Sequence, residues 1–290
     1  GMLGGVATLL IAVVPMQLIG NDFIPYTFLI TAFIYAISSL PMYYHVHETS
    51  PVIPIPDGET LVSVSFKHIG ETFRDIRQYK VFLRYMVAFL IYNDGIMMLM
   101  DFAAIIGATL FGLDQVQLII FVIIIHITGA LGALAFGKLS DEKSSKRAIL
   151  ISLIVLIASL ITLFFIKTTL GFFIVGAFAG FSLSGAQAVS RTMVSQLAPA
   201  GKTTEFYGFL SVAGRTSTFI GPLVFGTLSY RMYQYYLNRG LTELAAEKAG
   251  QYWGIGSIIA FLLIGFVILL SVREVTASKP MTYPKRHALN

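Results

Sequence analysis

Continuous apolar runs of about twenty residues, parted by short polar connections, recur along the whole chain. Eight are expected to span a bilayer: Met2 to Ile19, Ile24 to Tyr44, Val81 to Leu110, Val116 to Phe136, Ala148 to Ile166, Leu170 to Val189, Phe206 to Tyr230 and Trp253 to Val272. At about 1.5 Å of helical rise per residue, each run crosses a hydrocarbon layer of about 30 Å. Barrel strands would alternate apolar and polar positions over about ten residues, and these runs do not. The expected class is therefore all-α, a polytopic membrane helical bundle.

The polar connections divide the chain. The longest, His45 to Lys80, contains Pro51, Pro54 and Pro56, then an amphipathic stretch from Phe66 to Tyr79 bearing Lys67, Arg74 and Arg77. A helix lying on the membrane surface and a solvated interdomain loop both fit it. The expected organisation is two helices in residues 1–44, a linker in 45–80, six helices in 81–272 and a tail in 273–290. Leu241 to Ala249 has the pattern of a short amphipathic helix in the connection after Tyr230.

Composition agrees with a bilayer as solvent: 56% of the 290 residues are hydrophobic and 12% charged, against roughly 25% charged in ordinary soluble domains. The net charge of +5 does not point to nucleic acid, because fifteen of the 20 lysines and arginines fall in alternate connections and the tail. The opposite connections hold Lys167, Arg231, Arg239 and Lys248, and Arg215 lies within a span. By the positive-inside rule both ends of the chain face the cytoplasm. The chain has no cysteine, which excludes disulfides and thiolate metal sites. It opens Gly1-Met2-Leu3 directly into an apolar run, without the basic flank of a leader, and reads as truncated.

Ionisable side chains inside spans cost several kcal/mol at roughly mid-membrane depth, so they face a bundle interior or an aqueous cavity. The third, fourth and seventh spans carry Asp94 and Asp101, His126, and Arg215, while the second, fifth and eighth have uncharged cores. Asp94 lies roughly 19 Å along its helix from Val81, and His126 and Arg215 roughly 15 Å along theirs, near the depth where transporters place solutes and coupling ions. Asp101 shares the helical face of Asp94 two turns further on. An intramembrane aspartyl protease needs a second aspartate on another helix, which no span supplies. One intramembrane histidine makes no metal site. No enzyme chemistry, catalytic residue, metal or cofactor is expected.

The stretch Gly137-Lys138-Leu139-Ser140-Asp141, ending Lys146-Arg147, resembles the signature loop of the major facilitator superfamily. Its glycine would permit close helix approach, and Asp141 would accept bonds at the start of the next helix. Tyr92-Asn93-Asp94-Gly95, the run Ser184-Gly185-Ala186-Gln187-Ala188-Val189-Ser190-Arg191, Glu205-Phe206-Tyr207-Gly208-Phe209 and Gly221-Pro222-Leu223-Val224-Phe225-Gly226 resemble the vacuole effluxer-like branch of that superfamily. The resemblance implies that these spans are helices five to twelve, that about four amino-terminal helices are missing, and that 45–80 joins two six-helix halves. It also implies amino acids as a substrate class, and that the charged spans line the central cavity. There are departures: Glu142 stands where a basic residue is expected, Ser144 where glycine is, His126 where glutamine is, and Arg215 where lysine is.

On this reading the protein is a multi-pass secondary transporter of small polar solutes, amino acids among them, in a bacterial inner membrane, with protons as a candidate coupling ion. Its partners are a small-molecule solute and the lipid bilayer. Arg215 would bind a carboxylate, Asp94 would take an ammonium group or a proton, Asn93 and Gln187 would give neutral hydrogen bonds, Tyr92 would form an aromatic wall, and Asp101 would line a vestibule. A purely structural Asp94–Arg215 ion pair is the competing role. His126 is open to two roles, proton carrier or neutral hydrogen-bonding group. A non-transporting sensor or interaction protein on the same scaffold is the rival function.

Overall fold

The computed structural model describes chiefly residues 23–45 and 79–273, apart from 200, 201 and 218, with isolated positions before residue 23. The first expected span, the proline-containing linker with most of its amphipathic stretch, and the tail beyond 273 lie outside the described residues. The chain forms two compact units, 1–70 and 71–290. In the first, α1 (Ile24–His45) is apolar all round, and its large side chains Phe28, Phe33 and Tyr35 are exposed.

Every described element of the second unit is helical: α2 (Lys80–Phe111), α3 (Gln115–Glu142), α4 (Ser145–Leu163), α5 (Thr169–Leu197), α6 (Thr203–Ser217), α7 (Ile220–Asn238) and α8 (Glu243–Leu270). Among the described residues, six helices, α1 to α5 and α8, are long and apolar enough to cross a membrane. Tight caps allow connections of a few residues. Gly112 takes φ +67° after α2, and its N–H together with that of Leu113 closes onto the carbonyls of Ala108 and Gly107. Asp114 then opens α3 with a capping box, its carboxylate accepting from Gln117 N while the Gln117 side chain accepts from Asp114 N.

Packing is organised around α8, which lies against α2, α7 and α4, and around a close α3–α5 pair. Small residues make both seams. A Cβ on Gly265 would stand 2.6 Å from Cβ of Tyr92, and one on Gly132 would run into the Phe181 carbonyl oxygen. Backbones that approach this closely gain dispersion contacts that larger side chains would forbid, which is how helices associate where lipid removes the hydrophobic drive.

The structure corrects the sequence reading in three places. The signature stretch is no loop: α3 runs through Gly137 and Asp141 to Glu142, leaving only Lys143 and Ser144 between helices. A helix leaving the bilayer turns polar without ending, so polarity alone misplaced the boundary. The cap of α4 is Ser144, whose Oγ accepts from Arg147 N at 3.2 Å, and not Asp141, which is exposed. A Cβ on Gly137 meets nothing within 4 Å, so the glycine mediates no close approach here. The seventh span is two helices, α6 and α7, with Pro222 in the first turn of α7, where its missing N–H costs nothing. The expected short helix at Leu241 to Ala249 is instead the first turns of α8, continuous with the last span.

Lys146, in the signature stretch, donates from Nζ to the carbonyls of Leu270 and Val272, both at 2.7 Å, and Arg84 Nη1 reaches Ser271 O at 3.2 Å. These cations satisfy carbonyls that the end of α8 leaves without helical partners and sit at the negative pole of its dipole. Lys146→Met, which keeps the stem and removes the charge, is expected to cost about 1 to 2 kcal/mol. Denaturant unfolding in detergent measures it, and hydrogen exchange should rise first around Leu270.

Candidate functional site

Asn93 and Asp94 sit near the middle of the 32-residue α2, with 7% and 3% of their surface exposed. Two neighbours bury them. Gly95 and Tyr92 present small or flat surface to α8, where a Cβ on Gly95 would be 3.0 Å from Leu262 Cγ. On another side the Asp94 carbonyl lies 3.1 Å from a Cβ built on Gly221, in the first turn of α7. Asp94 therefore stands beside the junction of α6 and α7. Arg215 lies in the last turn of α6, just before that junction, and is exposed. Neither Asp94 nor Arg215 is left without an interaction.

A helix interrupted at this depth frees backbone carbonyls at the end of one half and N–H groups at the start of the next, and these suit ions and polar solutes. Arg215 is placed favourably for the dipole of α6 in addition to any solute role.

Tyr92, expected as an aromatic wall, is wholly buried. Ser190 Oγ on α5 gives its only proton to Ala186 O at 2.5 Å, so it accepts from the Tyr92 hydroxyl at 2.7 Å. Tyr85, one heptad earlier on α2, donates to the Ser190 carbonyl at 2.8 Å. Both phenols therefore tie α2 to α5, and Tyr92 positions Asn93 and Asp94 rather than facing a cavity. The sequence reading missed Ser190. Its signal was present in two tyrosines seven residues apart on one helix, both needing partners in a bilayer.

The other candidates spread around this centre. Gln187 on α5 is half-buried, its Nε2 lying 3.7 Å from Met100 Sδ on α2. His126 on α3 is half-buried in apolar surroundings, with Nδ1 2.8 Å from Val122 O of its own helix. Asp101 is exposed, so the face it nominally shares with Asp94 has lost its covering neighbour two turns on. Asp141 and Arg147 are exposed at the signature stretch, where Lys138 pairs with Glu142 at 3.8 Å. Burial thus groups Tyr92, Asn93 and Asp94 on α2, with the Asp94 carbonyl beside the first turn of α7, while Gln187 on α5 meets α2 further along, at Met100.

Comparison with known proteins gives this arrangement a family. The model of the family described as "Vacuole effluxer Atg22 like" matches residues 1–235. An uncharacterized MFS-type transporter, YxiO of Bacillus subtilis (strain 168), is 27% identical over 253 residues, 87% of this chain and 54% of that protein. Autophagy-related protein 22 of Yarrowia lipolytica is 27% identical over 184 residues, covering 59% of this chain and 31% of the fungal protein. The chain thus spans about half, or less, of the length of these curated relatives. Among solved structures, a bacterial homolog of the human lysosomal transporter Spinster, inward-facing and unoccupied, superposes with a TM-score of 0.58 at 13% identity over 81% of this chain and 57% of its own. The inward-open xylose transporter XylE from E. coli gives 0.52 at 16% identity, over 68% and 48%. The chain is a multi-pass integral membrane protein with the major facilitator fold, and it belongs to the vacuole effluxer Atg22-like family.

Proposed function

We propose that the chain is part of a secondary active transporter that moves small polar solutes, amino acids among them, by alternating access with protons as the coupling ion. One observation carries the reading: an aspartate 3% exposed in the middle of a long apolar helix, its backbone carbonyl beside the first turn of α7, with Arg215 in the last turn of the preceding helix. Such a residue is costly, and transporters place solute sites where helices are interrupted near the midplane. Support also comes from the family description and from a relative described as an MFS-type transporter.

In this scheme Arg215 binds the solute carboxylate, Asp94 takes the ammonium group or the coupling proton, and Asn93 and Gln187 give neutral hydrogen bonds. His126 contributes a neutral hydrogen bond, Asp101 lines a vestibule, and the signature stretch with its basic residues faces the cytoplasm of a bacterial cell.

Flux into liposomes holding the full-length protein tests the scheme, using an amino-acid panel with and without an imposed pH gradient. Gradient-stimulated uptake of at least one amino acid is expected. Arg215→Gln should raise KM for it about tenfold or more, the loss of one charge-assisted hydrogen bond. Folded protein that moves no member of the panel under any gradient would return the chain to the sensor reading.

A further inference from the structure

The ends of α2, α3, α4 and α5 remote from the Ser144 turn surround a cavity of about 150 Å³, of whose lining the solute scheme uses His126 alone. Leu99, Phe121, Leu160, Phe172 and Ala179, all buried, form part of its wall. Among the described lining residues, His126 is the one polar side chain. Met100, 50% exposed, marks its mouth, and Gln187 Nε2 lies 3.7 Å from its flexible thioether.

Three features define an occupant. First, apolar cavities of about this volume stay dry and take up a single six-membered ring, because water finds no partners on such walls. Second, Phe121 and Phe172 stack with centroids 4.5 Å apart and planes 26° from parallel, which makes that side of the cavity aromatic. Third, the tautomer of His126 follows from its contact. Val122 O can only accept, so Nδ1 carries the proton and donates to it. In the neutral ring, Nε2 on the opposite edge keeps a lone pair and is an acceptor without a donor on the described lining. A hydrocarbon ring would fill the space and leave that acceptor unmet. A ring with one donor meets it.

We propose that this cavity binds a small aromatic compound bearing a single hydrogen-bond donor, of the phenol or indole class, with its ring against Phe121 and Phe172 and its O–H or N–H donating to His126 Nε2. Entry is past Met100. Asp94 is not in its lining, His126 is shared with the solute scheme, and the site does not rest on the transport reading.

The test is equilibrium dialysis of the purified full-length protein in detergent, against protein-free micelles, with radiolabelled phenol and toluene as probes of equal shape. The phenol-to-toluene affinity ratio should fall about tenfold or more in His126→Leu relative to the native protein, because the variant leaves the phenol hydroxyl desolvated without an acceptor. Toluene binding should persist in that variant. Ala179→Phe, which fills the cavity, should abolish binding of both, and Ala104→Phe, from the α2 wall, does the same should the first variant fail to fold. A phenol-to-toluene ratio unchanged between the native protein and His126→Leu would overturn the proposal. So would phenol binding unchanged in the filled variants, or a one-to-one lipid chain that neither probe displaces.

Discussion

Gly132→Ala is expected to cost about 3 kcal/mol or more, the upper end of what overpacking does in a close-packed interior. The added methyl would occupy the space of the Phe181 carbonyl, carbonyl carbon and Cα, all backbone, so no side chain can swing aside. Relief requires α3 and α5 to move apart. The same seam would then loosen at Gly129, whose surface meets Ser184 Oγ, and at Gly180, which lies against the Ile125 carbonyl. Gly137→Ala on the same helix is the control. Its Cβ meets nothing, and alanine is the better helix former, so a gain of up to about 1 kcal/mol is expected. Unfolding in denaturant, with size-exclusion profiles before and after heating, separates the two. Equal behaviour of both variants would mean that the small-residue seam does not govern the bundle.

Asp94→Asn should separate stability from activity. Asparagine keeps the shape and the hydrogen-bonding capacity but removes the charge and the titratable proton. Burying that charge is costly, so the variant should fold at least as well as the native protein. Gradient-driven flux should nevertheless fall about a hundredfold, because a charge-assisted contact in a low-dielectric site contributes roughly 2 to 3 kcal/mol. Unchanged solute affinity in both Asp94→Asn and Arg215→Gln would assign the two residues to packing instead. A fall in stability matching the fall in flux would do the same for Asp94.

The helices were legible because a bilayer leaves only one way to satisfy the backbone, so apolar run length translates directly into spans. The burial of Asp94 was legible for a related reason, since a carboxylate within a long apolar run must be covered by protein. Boundaries were harder where helices extend past the membrane. Gly137 to Glu142 and Glu243 to Ala249 are polar enough to read as connections, yet they propagate helices that the apolar segments have already nucleated. Tyr92 was misread for another reason. It was expected as an aromatic wall, whereas its hydroxyl bonds a serine on a helix about a hundred residues away, a pairing that periodicity cannot supply. The division of the seventh span carried a visible mark in Gly221-Pro222, a pair suited to the first turn of a helix, but apolar run length alone does not part α6 from α7.

Helix α8 contains 28 residues and is therefore about 42 Å long, against a hydrocarbon thickness of about 30 Å. Its far end is anchored by Lys146 and Arg84, so the surplus two turns must emerge on the side where Thr242 begins the helix. Because these 290 residues contain no cysteine, Thr242→Cys places a single thiol among them as a reporter on that rim. Impermeant maleimide applied to right-side-out and inverted vesicles would then read the protein's topology without disturbing the bundle.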